Sequence, residues 1–222
     1  MCIRDRPAHC SIDCRHQYWQ KLGRMLQLKK VAVTGSIGSG KTTVCQIFKK
    51  YGAYYINADL IAHQLLSQNT HCIAEVIQEF GSDIVLKDKI DRGKLAKIVF
   101  ADFNNLYKLE KILYPKILKE IIAAYDIVSL KKHYSFFIVE VPLLYEATWE
   151  KYFDIIIYVD ARSNIRRSRC KQKAMKFFSS RDERMSMLSN KKNLADYIIY
   201  NNSDKKNLDN SVQQIIKQIQ LN

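Results

Sequence analysis

The chain has 222 residues, 47% of them hydrophobic, enough for one sizeable core with or without a small subdomain. No run approaches the roughly 20 apolar residues of a membrane span and no apolar signal core opens the chain, so a cytoplasmic place without a membrane partner is expected. The formal net charge of +14 admits nucleic acid, anionic lipid or a heavily phosphorylated small molecule, while six cysteines at 2, 10, 14, 45, 72 and 170 fit no zinc spacing and are expected reduced.

Residues 1–27 are polar and irregular and hold three of the cysteines; they are set outside the fold as an unassigned extension, disordered or artefactual. The domain is expected over 28–222. Residues 29–44 read KKVAVTGSIGSGKTTV: Val31, Ala32 and Val33 predict a buried strand, and Gly35, four further residues, Gly40, Lys41 and Thr42 fit the P-loop pattern, with a helix beginning at Lys41. Gly35, Gly38 and Gly40 let the backbone curl so that successive N–H groups point inward at an anion, at a helix N-terminus. Lys41 would reach the β and γ phosphates of ATP, and the Thr42 hydroxyl would ligate Mg²⁺. The plainer alternative is a glycine turn before a capped helix.

A helix to residue 51 stops at Gly52, and residues 53–56 predict a second strand. A right-handed crossover returns that strand parallel to the first, so Asp59, just beyond it, opens on the same sheet edge as the P-loop. There it would act as general base towards an attacking hydroxyl, or cap the helix over 60–66, or both. Helical patterns follow over 61–66 and 72–80. Residues 87–91 read as a turn, Asp91 would cap a helix over 92–100, and 104–130 is helical with an interruption at Pro115. This block, about 60–130, would build an acceptor pocket or serve packing alone.

Residues 136–141 are a continuous apolar run carrying Glu140, as a central strand would, ended by Pro142. Glu140 either holds Mg²⁺ through water or sits in a structural ion pair. After a strand over 154–159, Arg162, Arg166, Arg169 and Lys173 recur at steps of four, three and four, predicting one basic helical stripe. Residues 162–192 hold eleven Lys or Arg against two acids, so most of the excess charge is local, facing either phosphate or solvent. A last strand over 197–200 precedes Asn201 and Asn202, and a closing amphipathic helix spans 208–221.

In chain order, TGSIGSGKTT, NADLIAHQ, IDRGKLAKIVF, EVPLLYE and LADYIIYNNS resemble the dephospho-CoA kinase family from about residue 28 to the C-terminus. A P-loop alone indicates a nucleotide binder; the Pro-Leu-Leu segment and the order of the blocks narrow it. The resemblance implies ATP-dependent phosphorylation of the ribose 3′-hydroxyl of dephospho-CoA, the last step of coenzyme A synthesis, with Mg²⁺ accompanying ATP. It also implies an α/β fold of the three-layer P-loop NTPase type, with a five-stranded parallel sheet, a helical CoA-binding insertion and a lid at about 162–192.

Carried over by position, Gly38 to Thr43 would bind ATP, Asp59 would be the base, and Arg92 would contact the acceptor. Pro142, Leu143 and Leu144 would line its site, Arg169 would be a lid arginine, and Asn201 or Asn202 would lie near adenine. The chain departs from the family's pattern at Asn57, where an Asp is usual, at Tyr114 for His, at Lys173 for Arg and at Met185 for Gln. The alternatives are another P-loop nucleoside or nucleotide kinase, or a basic nucleic-acid-binding P-loop protein. The absence of an RNA-binding aromatic signature or a helix-turn-helix argues against a nucleic-acid partner.

Overall fold

A computed structural model describes residues 28–86, 89–131, 133–172 and 191–221. Five strands, β1 (Lys29–Gly35), β2 (Tyr54–Asn57), β5 (Phe136–Glu140), β6 (Ile155–Asp160) and β7 (Tyr197–Tyr200), form one sheet in the order β2-β5-β1-β6-β7. Every pairing in it is parallel. β1 and β5 are central, and their near-continuous apolar sequence follows from burial on both faces; all five residues of β5 are buried.

Alternation along the strands divides the core in two. Val31, Val33, Phe136, Ile138, Ile157 and Val159 pack under α1 (Lys41–Lys50) and α7 (Lys205–Leu221), through Val44 and Phe48 of the first and Val212 and Ile219 of the second. Ala32, Phe137 and Val139 face the opposite layer, built from α2 (Ala58–Gln68), α3 (Thr70–Phe80), α4 (Arg92–Ala101) and α5 (Phe103–Ser129). The expected three-layer α/β fold is therefore present, with the helical block between the second and third strands of the main sheet. Cys45, Cys72 and Cys170 are buried thiols outside any disulfide.

Several boundaries differ from the sequence reading. α5 is not interrupted at Pro115: its buried stripe of Leu109, Leu113, Ile117 and Ile121 runs straight through. Pro115 and Lys111 lie on the exposed face, where the carbonyl that loses its intrahelical donor is open to solvent. The segment read as a turn contains β4 (Lys89–Ile90), which pairs antiparallel with β3 (Val85–Leu86). β2 extends to Asn57, and the helix after it starts at Ala58, so Asn57 and not Asp59 is its N-cap, accepting from the Leu60 N–H at 3.1 Å. Arg162 precedes α6 (Ser163–Gln172), so the basic stripe does not begin on that helix. Lys173, Met185 and most of the expected lid lie outside the described residues, as do residues 1–27.

Phe137 ties the sheet to the helical layer, its ring stacked on Tyr54 (5.7 Å, 12°) and edge-on to Tyr125 (5.3 Å, 86°). It is fully buried. Phe137→Ala is expected to cost about 3–5 kcal/mol of folding stability, read from chemical denaturation midpoints at constant slope.

Candidate active site

The turn between β1 and α1 has its carbonyls tied back by side chains, and its Ser39 N–H closes the turn on Ser36 O at 3.2 Å. Arg166 Nη1 donates to Ile37 O at 3.2 Å, and Arg169 Nη1 to Gly38 O and Ser39 O at 3.5 and 3.3 Å. Buried Asn201 donates from Nδ2 to Ser39 O at 2.8 Å, and its own oxygens accept from Arg169 Nη2. The loop can lie this close to α6 because it carries glycine: a Cβ on Gly38 (φ +74°) would sit 2.7 Å from Cys170 Sγ and 2.8 Å from Arg166 O. α1 has no side-chain N-cap bond, so the N–H groups of its first turn have no side-chain acceptor there.

Lys41 opens α1 and is buried, its Nζ donating to Gly35 O at 2.9 Å and Ser36 O at 3.1 Å. Burial lowers its pKa from the usual lysine value, while Glu140 and Asp59 oppose that shift, so both carboxylates lie within electrostatic reach of the ammonium. Asp59 stands in the first turn of α2, two residues beyond the end of β2.

Glu140 ends β5 beside Asn57, its register partner on β2. Its Oε1 accepts from Thr42 Oγ1 at 2.8 Å, and its Oε2 from Tyr55 Oη at 2.6 Å and Asn57 Nδ2 at 2.8 Å. The hydrogen-bond donors to this buried carboxylate are the neutral side chains of Thr42, Tyr55 and Asn57, and the Lys41 ammonium lies within its electrostatic reach. Burial, then the bond to Glu140, pushes the Tyr55 pKa up and keeps its hydroxyl a donor. Among the described residues no group of three or more His, Cys, Asp or Glu gathers. One carboxylate oxygen beside one hydroxyl suits a hard cation that keeps waters and takes its remaining ligands from phosphate.

A cavity of about 1100 Å³ joins these groups to the helical layer. Its polar end holds Gly38, Gly40, Lys41, Thr42, Thr43, Asp59, Glu140, Arg169 and Asn201. Its other end is lined by Arg92 at the start of α4, by Val99, Leu113 and Tyr114, and by Pro142, Leu143 and Trp149. The structure thus brings most of the expected residues to one space. Gly35, Ser39, Leu144 and Asn202 stand off its wall: Gly35 abuts Val159, and Ser39 is buried and acts through its carbonyl. Leu144 is a fully buried core residue, and Asn202 Oδ1 accepts from the Arg162 N–H at 2.7 Å. Tyr55 and Trp149 had no motif to reveal them. Tyr114 meets Trp149 edge-on at 5.4 Å.

The family model described as dephospho-CoA kinase matches residues 29–207. A dephospho-CoA kinase of Protochlamydia amoebophila is 39% identical over 201 residues, 89% of this chain and 99% of that relative. One from Chlamydia abortus is 38% identical over 194 residues, 86% of this chain and 96% of the relative. The solved dephospho-CoA kinase from Campylobacter jejuni superposes with a TM-score of 0.64 at 26% identity, covering 86% of this chain and 96% of that one.

Asn201→Ala would strip a partner from Ser39 O and from Arg169 while leaving α1 intact. The expected outcome is a stability loss of about 1–3 kcal/mol in denaturant and a roughly tenfold weaker affinity for a fluorescent ATP analogue.

Proposed function

The chain belongs to the dephospho-CoA kinase family, and we infer that its cavity is where ATP phosphorylates the ribose 3′-hydroxyl of dephospho-CoA to give coenzyme A and ADP. The observation that carries this reading is the continuity of one cavity from the P-loop to an apolar helical wall. That continuity lets a phosphate-rich donor and a long, partly apolar acceptor meet at Asp59.

In this reading the first-turn N–H groups of α1 and the P-loop hold the ATP phosphates, and Lys41 exchanges its carbonyl partners for the β and γ phosphates. Asp59 accepts the proton of the 3′-hydroxyl as that oxygen attacks the γ phosphorus and ADP departs. Mg²⁺, held by Thr42 and by Glu140 through water, would offset charge on the transferring group. Arg92 meets the acceptor, and Pro142 and Leu143 shape its site. Arg169 and Asn201 serve ATP by holding the loop that surrounds its phosphates, and Asn202 stays with the adenine end. No helix among the described residues is long and apolar enough to cross a membrane. A cytoplasmic reaction belongs to the proposal, as does the division of 28–222 into an acceptor-binding region at about 60–130 and a lid at about 162–192.

ADP release from MgATP tests the assignment, with dephospho-CoA, adenosine, other nucleosides or no acceptor, and Lys41→Ala as the blank. Turnover is expected with dephospho-CoA only; turnover with another acceptor instead would overturn the acceptor assignment. Asp59→Asn should lower kcat by about 10²- to 10⁴-fold with little change in the melting curve, and a near-native rate would remove Asp59 as the base.

A further inference from the structure

The two oxygens of Glu140 are treated unequally. Oε1 faces Thr42 Oγ1, the hydroxyl on the cavity wall, at 2.8 Å. Oε2 accepts from Tyr55 Oη at 2.6 Å and from Asn57 Nδ2 at 2.8 Å, Asn57 lining the same cavity. The same Asn57 amide also lies 3.3 Å from Tyr55 Oη, which ties the two donors to each other. Both donors stand on β2, and strand pairing places Tyr55 opposite Ile138 and Asn57 opposite Glu140, so their positions are set by the backbone. The other end of the Asn57 carboxamide accepts from Leu60 N–H, which stops that side chain from turning over.

We propose that Tyr55 and Asn57 are positioning residues that occupy Glu140 Oε2 and leave Oε1 alone to serve the divalent ion, so that the site favours Mg²⁺ over Ca²⁺. The inference rests on the reading of Glu140 as the acid at the metal edge. Its chemistry is that of the two cations. Mg²⁺ keeps a compact octahedral shell of waters and single oxygens, whereas Ca²⁺ accepts six to eight ligands and gains from a carboxylate that chelates through both oxygens. A carboxylate with one oxygen already committed to two donors denies Ca²⁺ that gain and costs Mg²⁺ nothing. Asn57 suits the place because a carboxamide can donate to Glu140 and accept from a helix N–H at once; a carboxylate would cap α2 but bring a second negative charge against Oε2.

The test uses the full chain saturated with ADP and Mn²⁺, with free Mn²⁺ followed by electron paramagnetic resonance as Mg²⁺ or Ca²⁺ displaces it. Wild type is compared with Tyr55→Phe, which removes only the hydroxyl, and with Tyr55→Phe/Asn57→Ser, which keeps a capping oxygen for α2. The affinity for Ca²⁺ relative to Mg²⁺ is expected to rise more than twofold in the single variant and at least fivefold in the double. A purely structural role would weaken both ions alike and leave the ratio unchanged. A ratio within twofold of wild type in Tyr55→Phe overturns the proposal, and that variant decides alone if the double variant lacks a cooperative melt. Because no acceptor is present, a wrong acceptor assignment would show separately, as absent turnover of dephospho-CoA beside an altered metal ratio.

Discussion

A loop that must aim its N–H groups at an anion has to send its carbonyls elsewhere, and the structure depends on how that is done. Here the carbonyls of Ile37, Gly38 and Ser39 are taken by Arg166, Arg169 and Asn201. Those partners come from α6 and from the residue after β7, elements that follow the loop by more than 120 residues. They reach it because β6 pairs with β1 and β7 with β6 in a parallel sheet, with their carboxyl ends on one edge. A cluster of positive side chains that composition associates with polyanions is therefore partly occupied with backbone. Its charge still stands beside the phosphate position, but its hydrogen bonds hold the loop's shape.

The same sheet edge carries the second half of the chemistry. Glu140 and Asn57 are register partners at the ends of β5 and β2, and Asp59 follows two residues later on the first turn of a helix that Asn57 itself caps. A single strand ending thus sets the separation between the Glu140 carboxylate and the proposed base. The helical layer beyond it contributes the apolar wall, and it grips the sheet through the aromatic contacts of Phe137. The layer of α1 and α7 and the layer of α2 to α5 consequently have separate hydrophobic cores on opposite faces of one sheet.

How far the sequence could be read follows from which features are local. The P-loop, the buried run of β5 and the Asp91 cap of α4 are short-range signals, and each appears where the residues indicate. Pro115 misled because a proline's cost depends on whether the freed carbonyl meets water, a matter of helix face that periodicity alone assigns poorly. Asp59 was as good a cap by type as Asn57; the choice was made by β2 extending to Asn57 to complete its pairing with Glu140. Leu144 belongs to a motif whose neighbours line the cavity, yet its own side chain turns into the core. Tyr55 was invisible for a related reason: a tyrosine in a strand is ordinary, and only the neighbouring strand reveals what its hydroxyl meets.

The Trp149–Tyr114 contact gives the molecule a native optical probe. Trp149, one of two tryptophans in the chain, is set in the cavity wall, its indole buried and edge-on to a tyrosine. Indole emission follows the polarity around the ring and the distance to nearby quenching groups, so a guest at this end of the cavity alters the colour or intensity of the protein's own light. Events at the Trp149 wall of the cavity can thus be timed with no dye attached and no product formed.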